Sequence, residues 1–303
     1  MDRIIGEIQG TEPGPLLIFV AGLHGNEAQG LVALENVFRD FKNHGKIYGR
    51  AIALRGNIEA IRQNIRYVSQ DLNRIWDVKH YKRAVDYQSA EVYELLALRK
   101  IIEAELAKGY SKTYLLDLHT TSAPTIPFAV TKLTCDNERF VEKLQVPYIT
   151  NLKGFLDGTM LAWMSEKGFC GLAFEAGEHY NQQSMIKHEA FIQLAMHYAG
   201  FMPDLSDVEI FKLRNFLEDE LMPKHNHFEL KLRYKTDEEE DFVMEPGFTN
   251  FQRIFKGQVL AKNNKGDVLS PLDGNIFMPL YQKQGNDGFF IVQPVEKEVL
   301  ATS

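Results

Sequence analysis

The sequence predicts an α/β fold: a mixed, mostly parallel sheet covered by helices on both faces over residues 1–205, then a helix and a small C-terminal β domain over residues 206–303. Three observations predict it. Short, uninterrupted apolar runs, the mark of strands buried on both faces, recur through the first two thirds of the chain. Segments with apolar residues at helical spacing lie between them. Beyond about Met202 the texture changes to alternation broken by Gly-containing turns.

Leu16 to Ala21 (LLIFVA), closed by Gly22, is the first buried run. Leu31, Leu34, Val37 or Phe38, and Phe41 follow at helical spacing, so the chain passes from strand through His24-Gly25-Asn26-Glu27 into an amphipathic helix. Ala51 to Leu54, Tyr114 to Leu118, Phe128 to Val130 and Gly171 to Phe174 are further buried runs. Val92, Leu95, Leu98, Ile102 and Leu106 mark one helix between them, and Ile186 to Tyr198 another. Sheets built this way bind ligands beyond the carboxyl ends of their strands, so the polar residues that follow these runs are the candidates for function. Ser206-Asp207-Val208-Glu209 has the Ser-x-x-Glu form of a capping box and opens a helix running to about Leu221. Alternation in Phe228 to Tyr234 and turns at Lys265-Gly266, Asp273-Gly274 and Asn286-Asp287-Gly288 predict short antiparallel strands. The acidic run Asp237 to Asp241 reads as a solvated loop.

Composition narrows the class of function. With 45% apolar and 25% charged residues, the 303-residue chain has the make-up of an ordinary folded protein of about two domains. A net charge of -7 argues against nucleic-acid binding, which needs clustered Lys and Arg, and favours a small solute as partner. Cys135 and Cys170 lie in unrelated segments without metal-type spacing, which predicts a reducing compartment. Met1 to Gly10 lacks the pattern of a signal peptide, and no run of about 18 apolar residues occurs, so the expected location is the cytoplasm with no membrane contact. A homo-oligomer is left open.

His24 is the one histidine of nine with an acid at the third following position, Glu27, and that pair falls in a Gly-rich turn after the first buried run. One tight turn can aim such a pair at a single Zn²⁺. His119, in Asp117-Leu118-His119-Thr120-Thr121, emerges from another buried run and could be a third ligand; taken alone it also fits a strand-end histidine satisfied by hydrogen bonds. Two His and one Glu leave a fourth zinc position open, the arrangement of catalytic sites. Asp117 could orient a ligand imidazole. Glu175, thrust from the dry end of Gly171 to Phe174, suits a general base, with Glu178 and His179 as competitors. The segment Arg66 to Arg74 fits either a solvated loop or a loop that receives an anion through its guanidinium groups. His225-x-His227 reads as surface.

The set Gly22-Leu23-His24-Gly25-Asn26-Glu27, Asp71-Leu72-Asn73-Arg74, Asp117-Leu118-His119-Thr120-Thr121 and Phe174-Glu175-Ala176-Gly177 resembles the succinylglutamate desuccinylase and aspartoacylase family, relatives of the zinc carboxypeptidases, over about residues 15 to 200. The resemblance implies a zinc carboxypeptidase-like fold with one Zn²⁺ per chain bound by His24, Glu27 and His119, and Glu175 as base and acid. It implies that Arg66, seven residues before Asn73, polarises the scissile carbonyl, and that Asn73 and Arg74 hold the carboxylate of the released amino acid. The implied activity is hydrolysis of the amide of a small N-acyl amino acid. The alternatives are a zinc carboxypeptidase acting on peptides and a catalytically silent zinc or metabolite sensor. Ser165 stands where aspartoacylases carry an arginine for the substrate's side-chain carboxylate, which points away from N-acetylaspartate; Lys153, Lys167 or Lys187 could stand in by charge, without the fork of a guanidinium. Lys256 to Ala261 and Ser270 to Gly274 resemble the small β domain that family members place beside the active site.

Overall fold

A computed structural model describes residues 1–41, 45–132, 134–151, 157–282 and 286–296. Its strands are β1 (Ile4–Gln9), β2 (Glu12–Ala21), β3 (Tyr48–Arg55), β4 (Thr113–Thr121), β5 (Phe128–Thr131), β6 (Tyr148–Thr150) and β7 (Cys170–Glu178) in the first part of the chain. The second part adds β8 (His227–Lys235), β9 (Val243–Met244), β10 (Arg253–Ile254), β11 (Val259–Asn263), β12 (Gly266–Leu269), β13 (Gly274–Phe277) and β14 (Asp287–Pro294). The helices are α1 (Ala28–Arg39), α2 (Ile58–Gln63), α3 (Val78–Asp86), α4 (Glu91–Leu106), α5 (Cys135–Leu144), α6 (Met160–Glu166), α7 (Gln182–Tyr198) and α8 (Asp207–Leu217). No described helix is long and apolar enough to cross a membrane.

One sheet of 11 strands runs in the order β1-β3-β2-β4-β7-β5-β6-β8-β14-β13-β10, and a 3-stranded sheet, β12-β11-β9, lies apart from it. The centre is parallel: β3, β2, β4 and β7 pair parallel in turn. β1 and β5 join this block antiparallel. Strand β2 shows why its sequence is apolar throughout. Successive side chains of a strand point to opposite faces. Leu17, Phe19 and Ala21 enter a core with α1, α5 and α7, while Leu16, Ile18 and Val20 enter a second core with α3, α4 and α6. Both sets are fully buried, each large side chain contributing roughly 1.5–3 kcal/mol. In the first core the rings of Phe174 (β7) and Phe191 (α7) stack at 4.0 Å.

The capping box at Ser206 forms as read, with Ser206 and Glu209 exchanging hydrogen bonds, but α8 stops at Leu217 instead of about Leu221 because Glu218 turns extended (ψ 146). The acidic run forms a short 3₁₀ turn, Glu238–Glu240. The C-terminal strands continue the main sheet: β8 pairs parallel with β6, and β14 adds to β8. A third core follows that seam, joining Phe128, Val130 and Ile149 to Phe228, Phe277 and Phe290.

Candidate metal and catalytic site

The carboxyl ends of β2, β4 and β7 deliver the candidate residues to one place. Gly22 ends β2 with φ +72, a left-handed turn open to glycine at little cost. At Gly25 a side chain would meet Ala60 and Ile61 backbone at 2.1–2.4 Å, so glycine lets the turn lie against α2. The turn holds His24 and sets Glu27 at the start of α1, with the Glu27 N–H donating to the His24 carbonyl at 3.2 Å. His119 on β4 pairs in register with Glu175 on β7.

The Glu27 carboxylate sits between two imidazoles. Its Oε1 is 2.7 Å from His24 Nδ1, and its Oε2 is 3.0 Å from His119 Nδ1 while accepting the Thr120 N–H at 3.0 Å. Each imidazole turns its other nitrogen to an aspartate. His24 Nε2 is 3.1 Å from Asp71 Oδ1; His119 Nε2 is 2.7 Å from Asp117 Oδ2, close but poorly aligned for a hydrogen bond. Burial opposes ionisation of Glu27, yet the His24 and His119 charges outweigh it and hold the carboxyl well below its usual range. Burial likewise opposes charge on His119, and Asp117 and Glu27 overcome it to raise the imidazole well above its ordinary value.

One ligand atom from each of His24, Glu27 and His119 lies within 4.8 Å of the others, and all three residues are buried. Nitrogen and carboxylate donors suit a borderline cation such as zinc, and paired outer carboxylates are the usual support for ligating imidazoles. The donor set therefore fits the metal that the sequence implied.

Glu175 is buried, and its Oε2 has no hydrogen-bond partner. Burial is the main reason its carboxyl is pushed up to about 8. It lines a cavity of about 130 Å³ with His24, Glu27, His119, Arg66, Asn73 and Arg74. Glu178 and His179 do not line it; His179 Nδ1 is instead 2.7 Å from Thr120 Oγ1.

The segment Arg66 to Arg74 is organised, with Val68 and Ser69 exposed and Leu72 and Asn73 buried. Arg66 reaches Asp71 Oδ2 at 3.3 Å and Glu27 Oε1 at 3.6 Å. Asp71 caps a 3₁₀ turn, Leu72–Arg74, in which Leu72 and Asn73 are buried. Burial opposes the Asp71 charge, but His24, Arg66 and Arg74 keep its carboxyl well below the usual range. Asn73 Oδ1 accepts the Met160 N–H at 2.9 Å, tying the turn to α6. Arg74 donates to Asp287 Oδ2 at 3.1 Å, and Arg233 Nε donates to Asp287 Oδ1 at 2.5 Å.

Two of these partners escape a reading of the sequence. Glu91, fully buried at the start of α4, accepts N–H bonds from Val68 at 2.7 Å and Gln70 at 3.2 Å, and from Ser69 between them. It thereby fixes the backbone between Arg66 and Asp71. In sequence it is one acid in the first turn of a helix, and the polar run ahead of it offers no contrary signal. Asp287 sits in an Asn-Asp-Gly turn signal, yet it begins β14 at a register shift: Asp287 pairs with Lys235 and Phe289 with Tyr234. Two residues on β14 thus face one on β8, a bulge that re-aims side chains so that both Asp287 and Phe290 line the cavity.

Three sequence expectations change. His227 is buried rather than on the surface, because it opens β8 stacked on Tyr148 at 4.6 Å with Nε2 2.8 Å from Thr150 Oγ1. Ser165 lies on the side of α6 toward Cys170 and Phe169, and the α6 residue that faces the cavity is Leu161. Lys167 and Lys187 do not reach the cavity: Lys167 covers the Trp163 ring at 5.1 Å and Lys187 pairs with Asp219 at 3.4 Å. Lys153 lies outside the described residues.

Comparison with known proteins gives the family and the fold. The family model for the succinylglutamate desuccinylase/aspartoacylase catalytic domain matches residues 13–196. A succinylglutamate desuccinylase of Pseudomonas paraeruginosa is 31% identical over 114 residues, 37% of this chain and 33% of that protein. An N-acyl-aromatic-L-amino acid amidohydrolase (carboxylate-forming) of Xenopus laevis is 27% identical over 113 residues, 37% of this chain and 36% of that protein. The chain thus aligns with about a third of the length of these relatives. The crystal structure of a succinylglutamate desuccinylase/aspartoacylase from Rhodobacter sphaeroides superposes with a TM-score of 0.70 at 15% identity, over 96% of this chain and 88% of that one, and so shares the fold.

Proposed function

The chain belongs to the succinylglutamate desuccinylase/aspartoacylase family, and from that premise we propose that it hydrolyses the amide bond of a small N-acyl amino acid at a zinc ion held by His24, Glu27 and His119. The observation that carries the reading is the meeting of three buried ligand atoms within 4.8 Å beside a carboxylate, Glu175, whose free oxygen is buried in the same cavity. Zinc bound there supplies Lewis acidity toward water and the amide carbonyl.

The chain's own groups do the rest. Glu175 Oε2 takes a proton from the attacking water and returns it to the leaving amine, work that suits a buried carboxyl with an unengaged oxygen. The Arg66 guanidinium, anchored by Asp71, donates to the oxygen on which negative charge develops. Asn73 has its Oδ1 committed to Met160, which leaves its amide hydrogens for the substrate carboxylate, and Arg74 adds a charged donor from the next position. Asp71 is hydrogen-bonded to the outer nitrogen of His24, and the Asp117 carboxylate lies against that of His119. We divide the chain at about residue 205, the first part carrying the catalytic groups and residues 206–303 walling the cavity through Asp287 and Phe290.

A hydrolysis screen over N-acetyl, N-succinyl and longer acyl derivatives of many amino acids, with metal content measured in the same preparation, tests the reading. The expected result is turnover of N-acyl amino acids, one zinc per chain, and loss of activity on chelation that zinc restores. Cleavage of peptides with N-acyl amino acids left intact would replace it with a carboxypeptidase. Tight binding without hydrolysis would replace it with a sensor.

A further inference from the structure

We infer that the cavity contains an apolar subsite for the side chain of the released amino acid, so that N-acyl amino acids with an uncharged, apolar side chain are the preferred substrates. This rests on the deacylase reading and narrows it.

Six residues build the subsite: Val130, Leu161, Ala173, Met278, Leu280 and Phe290. Its position relative to the chemistry follows from register. Ala173 and Glu175 are two apart on β7, so their side chains leave the same face of the sheet. Val130 on β5 pairs with Ala173 and shares that face. The apolar surface therefore begins beside the proposed base. Leu161 follows Met160, whose N–H is bound by Asn73 Oδ1, so the subsite also adjoins the residues assigned to the substrate carboxylate. Phe290 arrives from β14 through the bulge that also brings Asp287 to Arg74. The side chain of an amino acid stands one carbon from its carboxylate. A carboxylate held at Asn73 and Arg74 would leave that side chain inside the cavity that Leu161 and Phe290 also line.

Charge supports the same assignment. Among the described lining residues the guanidinium cations are Arg66 and Arg74, the first facing Glu27 and Asp71 and the second facing Asp287. Glu27, Asp71, Asp117, Glu175 and Asp287 line the same space. A second substrate carboxylate, as in an N-acyl aspartate, meets these acids, and both of these guanidiniums already face carboxylates. A cationic side chain finds Asp287 already shared by Arg74 and Arg233. An alkyl or aromatic group meets matching surface, where each methylene changes kcat/KM by about 10-fold or more.

The test uses zinc-loaded protein and one acyl group, acetyl, on alanine, leucine, phenylalanine, aspartate and lysine. Leucine or phenylalanine derivatives should exceed the aspartate and lysine derivatives by about 100-fold in kcat/KM, and Leu161→Gln should cut the leucine-to-alanine ratio by about 10-fold. Calorimetric titration of the unmutated protein with free leucine and free aspartate keeps the test independent of turnover and of the variant's folding; leucine should bind at least about 10-fold tighter. Equal or better turnover of the aspartate or lysine derivative overturns the subsite. So does aspartate binding as tightly as leucine, or neither binding. Absence of hydrolysis for every derivative sinks the deacylase reading instead, and the titration then decides the subsite alone.

Discussion

Glu91→Gln tests whether one buried carboxylate holds the loop that carries Arg66, Asp71, Asn73 and Arg74. The two oxygens divide their work. Oε1 accepts from Val68 N at 2.7 Å and Asn57 Nδ2 at 3.1 Å; Oε2 accepts from Gln70 N at 3.2 Å and Ser89 Oγ at 2.9 Å. Ser69 N reaches both. A glutamine keeps one acceptor and turns a donor amide toward the other set, so about two buried or half-buried donors lose their partner whichever way it sits. At about 1–3 kcal/mol for each such group left unsatisfied, the loss is about 2–6 kcal/mol. A chain of this size should then melt about 5–15 °C lower. Because the ligands stand on other elements, zinc stoichiometry should hold while kcat/KM falls about 10-fold or more. The measurements are a thermal melt, kcat/KM well below the new midpoint, and metal content, with Glu103→Gln on the exposed side of the same helix as the control. A Glu91→Gln protein with the parent's melting point and kcat/KM would refute the clamp.

Glu175→Gln should retain zinc by elemental analysis and lose about 10²–10⁴ in kcat, whereas His24→Ala should lose the metal itself; near-parental activity in the first would remove Glu175 as base. Arg74→Ala should chiefly raise KM and Arg66→Ala chiefly lower kcat in steady-state kinetics, and identical effects would undo the proposed division of labour. Burial pushes the Cys170 thiol up to about 12, so the folded protein keeps a proton that the unfolded chain gives up near 9. Stability should therefore decline as pH rises past 9, by about 1 kcal/mol at pH 10 from this group. Denaturant titrations at pH 8 and pH 10 should show that decline in the parent and its loss in Cys170→Ala.

The parts of the fold that declared themselves in sequence are those buried on both faces. Leu16 to Ala21 could be read because parallel strands flanked by two cores tolerate no polar alternation. Helices α1, α4 and α7 announced themselves by the spacing of residues that cover those cores. The three residues proposed as ligands could be read as motifs at strand ends, since the carboxyl edge of such a sheet is where ligands bind. What stayed hidden depends on pairings far apart in the chain. His227 reads as a linker histidine until β8 is laid beside β6, when Tyr148 and Thr150 enclose it. Asp287 gives a turn signal locally, and only the bulge against β8 sends it to Arg74. Leu161 and Ser165 are both plausible occupants of the cavity until the winding of α6 decides between them.

The seam between β6 and β8 has two consequences. With β8 absent, Tyr148 to Thr150 would be an open margin of the sheet, the kind of edge that pairs with strands of other chains. Docking of β8 and β14 shields that margin and, in the same event, supplies Phe290 to the cavity and a carboxylate to Arg74. One seam therefore both closes an edge of the sheet and finishes a wall of the cavity.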